Sequence, residues 1–312
     1  MPVVPTSGRP SIYTGIWAPM ITPFTDGDVD YGAADLFARH LVDGGIHGLV
    51  VCGTTGEGSS LSPYEKARLL DTVTARTPGD LPVFLGLEGT STQKIIDEVR
   101  EIGNCPATGY LLPAPSYVRP SQEGVYRHFM AIEAAVKRPV VIYDIPARTG
   151  VHMSIDTIAR LAGNGDFPAI KACGLSTEHL QGLLGVPGLK VMCGDDIWIH
   201  QALRLGAHGA IAASAQVAPR RFLEAYASFE SGGAEDGWQA FHILSPLMKL
   251  MFDEPNPGPV KAALAIEGWV RNELRLPMTP VTEGLREQIR TRLQDLNLHD
   301  RDAHLCPDTS HS

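Results

Sequence analysis

The chain has 312 residues, 44% hydrophobic and 20% charged, enough for one barrel-sized globular unit with a small appendage. A formal net charge of −9 with no basic run argues against nucleic acid as a partner, and no apolar run approaches bilayer length. The opening MPVVPTSGRP lacks an export signal's basic-then-apolar order, and five cysteines (Cys52, Cys105, Cys173, Cys193 and Cys306) show no ligand spacing, so a reducing cytoplasm is expected.

In chain order, apolar β-branched runs alternate with helical patterns. Candidate strands fall at 15–21, 48–52, 83–87, 108–112, 140–143, 169–171, 190–193 and 209–212. Between them, apolar residues recur at helical spacing. Leu36, Phe37, His40 and Leu41 form a face stopped by Gly44-Gly45. Ser62-Pro63-Tyr64-Glu65 reads as a capping box with proline at the first helical position, opening a helix that carries Leu69 and Leu70. Further faces are marked by Ile95, Ile96 and Val99, by Phe129, Ile132 and Val136, by Ile155, Ile158 and Leu161, and by Leu180, Leu183 and Leu184. Ile197, Ala202 and Leu205 precede Gly206, and Phe222, Ala225 and Tyr226 complete the series.

Eight strand–helix units predict a closed parallel (β/α)8 TIM barrel over residues 1–232, including an N-terminal extension. An open doubly wound sheet is the competitor, weakened because no GxGxxG follows the first strand. Residues 233–312 carry helical patterns at 238–252, 259–269 and 283–296 around a turn-rich LRLPMTPVT, and predict a C-terminal helical appendage. Residues 303–312 are expected to fray.

Active sites of such barrels lie at the C-terminal strand ends. Polar residues converge there: Thr54 and Thr55 after the second strand, Tyr117 and Arg119 after the fourth, Tyr143, Asp144 and Arg148 at the fifth, Lys171 at the sixth, and Asp195 and Asp196 after the seventh. Burial disfavours a charged amine, and a neutral amine can condense with a ketone to a Schiff base that acidifies the neighbouring carbon. Residues 53–57, GTTGE, can form an anion nest of backbone N–H groups with two added hydroxyls, suited to a carboxylate; no GK[ST] follows, so it is not a Walker loop. A phenol at Tyr143 can relay protons, and Arg148 can clamp a second carboxylate bidentately.

Each residue also has an ordinary reading: a solvated lysine, a βα turn, a core tyrosine, an exposed loop arginine. Asp195 and Asp196 are expected to cap a helix rather than act in catalysis. His40, His128, His200 and His208 read as helix or turn residues, and no metal is expected.

Taken together, GTTGE (53–57), RPSQEGVYRHF (119–129), YDIPARTG (143–150), IKACG (170–174), GDD (194–196), EPNPGPVK (254–261) and LRLPMTP (274–280) resemble the dihydrodipicolinate synthase / N-acetylneuraminate lyase family of class I pyruvate-dependent aldolases. RTG and LRLPMTP look like the synthase branch. The resemblance implies a Schiff base between Lys171 and pyruvate, without any other cofactor. It implies proton transfer by Tyr143, linked through Thr54 to Tyr117, which in the family reaches into a neighbouring subunit. Gly53, Thr55 and nearby amides would hold the pyruvate carboxylate, with Gly194 also at the binding site, and Arg148 would hold that of aspartate semialdehyde. The implied product is 4-hydroxy-tetrahydrodipicolinate, on the route to lysine and diaminopimelate, made by a homodimer or tetramer. The alternative is an aldolase or dehydratase of a 2-keto-3-deoxy sugar acid or sialic acid using the same iminium. A barrel that binds a keto acid without turnover is disfavoured by the intact Lys171, Tyr143, Thr54 and Tyr117 set.

Some positions depart from the family pattern. Ser116 replaces an aromatic, Ala172 replaces an acidic residue, and GLEGTST stands at 86–92. Pro63, Lys66, Thr90 and Ser116 occupy the places of the lysine-binding allosteric pocket, so feedback inhibition by lysine is expected to be weak or absent.

Overall fold

The computed structural model describes residues 12–232 and 234–296. The expected frayed tail and Cys306 lie outside the described residues.

Strand β1 (Gly15–Pro19) is followed by a two-stranded antiparallel hairpin, β2 (Phe24–Thr25) and β3 (Asp28–Val29). Its Asp26-Gly27 turn places both residues at positive φ, 54° and 87°. That hairpin was not among the predicted strands. The remaining barrel strands are β4 (Gly48–Val51), β5 (Val83–Gly86), β6 (Gly109–Pro113), β7 (Val140–Asp144), β8 (Ala169–Ala172), β9 (Lys190–Cys193) and β10 (Gly209–Ile211). They pair in parallel, in the order β1-β10-β9-β8-β7-β6-β5-β4, and close into a barrel. The predicted strands match these within two residues at each end.

Between and after the strands run α1 (Tyr31–Asp43), α2 (Pro63–Thr74), α3 (Thr92–Ile102), α4 (Gln122–Val136), a short α5 (Pro146–Thr149), α6 (Ile155–Asn164), α7 (Thr177–Leu184), α8 (Ile199–Arg204) and α9 (Pro219–Gly232). The tail adds α10 (Ala234–Leu250), α11 (Gly258–Ile266) and α12 (Glu283–Asp295). The capping box at the start of α2 forms as read: the Ser62 hydroxyl accepts the Glu65 N–H, and Glu65 accepts the Ser62 N–H at 2.8 Å. Among the described residues no helix is long and apolar enough to cross a membrane.

Side chains alternate across each strand, so one parity fills the barrel and the other meets the helices. Trp17, Val50, Phe84, Leu111, Val141, Tyr143, Ala169, Cys173, Met192 and Ile211 form the inner cluster. Ile16, Leu49, Val51, Ile142, Ile170 and Ala172 belong to the outer layer under the helices. This alternation decides the direction of every strand-end residue discussed below.

Candidate active site

On β8 the inward residues are Ala169, Lys171 and Cys173, so the lysine points into the barrel by strand parity alone. It is 6% exposed. The β7–β8 register places Lys171 directly beside Tyr143. Its ammonium lies 4.5 Å from the centroid of the Tyr143 ring. Tyr143, 5% exposed, is hydrogen-bonded to Thr54 and to Cys173. Burial pushes the phenol well above its ordinary range, assisted by Cys173 and opposed by Arg148 and Thr54. Burial likewise pushes the Cys173 thiol up to about 12, against the pull of the Lys171 charge.

Gly194 leaves room for the amine's stem. A Cβ there would fall 2.4 Å from the Cys173 sulfur and 3.0 Å from Lys171 Cε. The two following carboxylates are not the helix caps expected from sequence. Asp195 accepts the Gly174 N–H at 2.6 Å, with no cap bond of its own. Asp196 is buried and accepts the N–H groups of Ala213 (3.2 Å) and Ser214 (2.6 Å). Both carboxylates tie neighbouring strand-end loops together. A short-range reading could not see partners 17 to 21 residues away.

The loop GTTGE folds back on itself: the Gly53 carbonyl accepts the Gly58 N–H at 3.2 Å, and Glu57 takes a left-handed φ of 51°. A Cβ at position 58 would lie 2.0 Å from the Cys52 carbonyl oxygen, so only glycine closes the turn. Thr55 is buried, and its hydroxyl accepts from Asn256 Nδ2 at 3.0 Å. The Asn256 carbonyl in turn accepts from Arg148 at 3.5 Å, and Asn256 Oδ1 has no hydrogen-bond partner. Arg148 rides on α5 beyond β7 and is exposed. A cleft of about 250 Å³ opens here, lined by Thr54, Tyr143, Arg148, Asn256, Glu57 and Arg275 among others.

Below this loop lies an ion pair the sequence reading missed. Glu57 Oε1 and Lys261 Nζ stand 2.5 Å apart with side chains 3% and 0% exposed. Lys261 also donates to the Glu273 carbonyl (2.7 Å) and lies over the Phe24 ring. Burial lowers its amine to about 8, although Glu57 pulls the other way. Glu57 Oε2 accepts the Arg275 N–H at 3.0 Å. The signal was present in EPNPGPVK, which ends in Lys261, but nothing local assigns its partner.

The structure therefore brings Lys171, Tyr143, Thr54 and Gly194 together, and Thr54, Tyr143 and Arg148 line the cleft. Gly53 and Thr55 are not in its lining; Thr55 is buried and meets the cleft through Asn256. The structure does not bring Tyr117 to these residues. That side chain is 89% exposed, at a left-handed φ of 69°, and is not part of the cleft lining. Pro63, Lys66 and Ser116 line an adjoining cavity of about 400 Å³ with Glu88 and Glu98; it shares Ser59, Glu88, Gly89 and Ser116 with the cleft, and Thr90 lies outside its lining. Lys66 is buried there and ion-paired with Glu98. Sequence reading expected no metal, yet Asp144, His152 and His179 converge behind β7, with ligand atoms within 4.8 Å of one another.

A closed parallel barrel with an inward amine ending its sixth strand, beside a buried phenol, is the framework of the class I Schiff-base lyases. The chain belongs to the dihydrodipicolinate synthetase family, whose profile matches residues 12–296. It is 33% identical over 298 residues to 4-hydroxy-tetrahydrodipicolinate synthase of Thermotoga neapolitana, covering 92% of this chain and all of that one. It is 36% identical to the enzyme of the same name from Thermosynechococcus vestitus, with 89% and 96% covered. Among solved structures, dihydrodipicolinate synthase from Thermotoga maritima superposes with a TM-score of 0.88 at 32% identity, covering 92% of this chain and 100% of that one.

Proposed function

We propose that the protein condenses pyruvate with aspartate semialdehyde to 4-hydroxy-tetrahydrodipicolinate, using Lys171 as the covalent nucleophile. The observation that carries this reading is the buried, inward amine 4.5 Å from the Tyr143 ring. The amine attacks the keto carbon and water leaves, giving an iminium. Loss of a methyl proton gives the enamine, which adds to the aldehyde carbon. The substrate's own amino group then displaces Lys171 from the imine carbon and closes the ring. No external cofactor is needed, because the iminium itself withdraws the electrons.

Tyr143, held by Thr54, is the proton carrier next to the imine. Gly53, Thr55 and the neighbouring amides receive the pyruvate carboxylate, Gly194 admits the adduct beside the lysine stem, and Arg148 at the cleft wall receives the aldehyde's carboxylate. Tyr117, exposed on its own chain, extends the relay only in a second copy, so the working form is a homodimer or a tetramer of dimers. The four cysteines among the described residues are free and buried, which fits a reducing cytoplasm.

Incubation with pyruvate and borohydride tests the covalent step: the reduced adduct should map to Lys171 and vanish in Lys171→Arg. Arg148→Ala should raise the KM for the aldehyde roughly tenfold or more while pyruvate trapping persists. Turnover of a 2-keto-3-deoxy sugar acid in preference to aspartate semialdehyde would overturn the substrate assignment. An unchanged aldehyde KM in Arg148→Ala would overturn the role of the arginine.

A further inference from the structure

Tyr143 points into the barrel, so by strand parity Asp144 points out, toward the helices. Its carboxylate is 1% exposed. One oxygen, Oδ1, lies 3.5 Å from the Met153 N–H. The other, Oδ2, has no hydrogen-bond partner. Two histidines flank that bare oxygen at the same range: His152 Nδ1 at 3.7 Å and His179 Nε2 at 3.7 Å. His179 Nε2 is also buried without a hydrogen-bond partner, and the two imidazole rings stand 4.6 Å apart.

An ordinary carboxylate–imidazole pair closes to about 2.7–3.0 Å, because an N–H donor gains little beyond roughly 3.2 Å. Here neither ring closes on the oxygen, although both face it. The spacing instead suits an atom lying between the three groups. Ligands about 2.0–2.1 Å from a tetrahedral zinc-type ion stand roughly 3.3 Å from each other. The two observed contacts to Oδ2 are 3.7 Å and all three donor atoms lie within 4.8 Å of one another, so an inward movement of one ring closes the set. His152 can supply it, being 56% exposed on the segment between α5 and α6, whereas His179 is 11% exposed near the start of α7. Its half-open position also gives an ion a way in.

We propose that Asp144, His152 and His179 form a binding site for a divalent transition-metal ion of the zinc type. Two neutral imidazoles and one carboxylate are a complete protein donor set for such an ion, with solvent in the remaining position. The ion satisfies the orphaned Oδ2 and the buried Nε2 at once. It also ties β7, the segment before α6, and α7 into one unit directly behind Tyr143. The site is separate from the Schiff-base chemistry, since its ligands lie on the outer face of the strand that carries the phenol on its inner face.

The test uses the full-length, chelator-washed protein titrated with Co²⁺, followed by Zn²⁺ competition and thermal melts. The expected result is one equivalent of Co²⁺ with visible ligand-field bands and no thiolate charge-transfer band, displaced by Zn²⁺, and a melting temperature raised by Zn²⁺. His152→Gln and His179→Gln should each weaken binding by roughly a hundredfold or more, given that outer-shell partners alone are worth 10–100-fold. His242→Gln, an exposed histidine stacked on Trp238, should bind as the parent does. His152→Gln changes an exposed side chain, so its loss of binding cannot be ascribed to misfolding. Failure to bind one equivalent, binding that survives both substitutions, or a thiolate band pointing to the cysteines would each overturn the proposal.

Discussion

Lys261→Met should destabilise the protein by about 3–5 kcal/mol. Two effects oppose one another at this position. Desolvation works against the ammonium, which is why burial lowers it to about 8. Glu57 at 2.5 Å and the Glu273 carbonyl at 2.7 Å compensate. Methionine keeps the stem's packing over Phe24 but leaves the Glu57 carboxylate, 3% exposed, without its counter-ion. Breaking one side of a buried pair typically costs about 3–5 kcal/mol, whereas replacing both charges is far cheaper.

Glu57→Gln should therefore cost about as much as Lys261→Met, and the double variant no more than about 1–2 kcal/mol beyond the parent. Guanidinium unfolding of the four proteins gives the coupling energy directly. Because Glu57 ends the loop that carries Thr54 and Thr55, either single variant should also raise the KM for pyruvate. Additive single effects, or a loss under about 1 kcal/mol for Lys261→Met, would refute the reasoning.

Other positions give equally definite expectations. Gly194→Ala inserts a methyl 2.4 Å from the Cys173 sulfur and 3.0 Å from Lys171 Cε; kcat/KM should fall roughly a hundredfold, with about 1–3 kcal/mol of stability lost to overpacking. Near-parent kinetics in Gly194→Ala would show that the lysine stem has slack. The Arg275 guanidinium grips Glu65 by two bonds, at 2.6 and 3.1 Å, and holds its carboxyl at about 2. A depressed carboxylate pKa contributes stability above pH ~4.5 that is lost as pH falls toward ~2. The shift corresponds to ~3 kcal/mol, which partial exposure screens to about 1–2. Glu65→Gln should flatten that acid limb in stability measured from pH 6 to 2, and an unaltered slope would count against it. L-Lysine should leave turnover nearly unchanged at about 1 mM, the upper end of ordinary enzyme ligand affinities, because the Lys66 ammonium in that cavity's wall already neutralises Glu98. Half-maximal inhibition at or below that level in a coupled assay would contradict this.

Much of the barrel was legible because its signals are local. Short apolar, β-branched runs located the strands and put Lys171 at a strand end, but Asp144 was grouped with the site residues, and only the alternation in the closed barrel turns Tyr143 inward and Asp144 outward. The capping box at Ser62 is likewise a four-residue device. What the sequence concealed were partners distant along the chain. Asn256 meets Thr55 across 201 residues, and Arg275 meets Glu65 across 210. Asp144, His152 and His179 follow no ligand spacing, because three separate elements deliver them. Asp195 and Asp196 look like caps in a short window, and only the closed barrel turns them toward Gly174, Ala213 and Ser214.

These distant contacts share a direction. Asn256, Lys261 and Arg275 all come from beyond α10, and each grips part of one segment: Thr55, Glu57, or the Ser60 carbonyl and Glu65. Strand β4 delivers that segment to the barrel mouth, where its turn is buried, glycine-rich and left-handed at Glu57. A loop of this kind keeps a carboxylate-sized nest only if something holds its backbone still. The tail supplies that restraint with one amide, one buried ammonium and one guanidinium. The EPNPGPVK and LRLPMTP segments are thus as much a part of the site as the strand that carries the lysine.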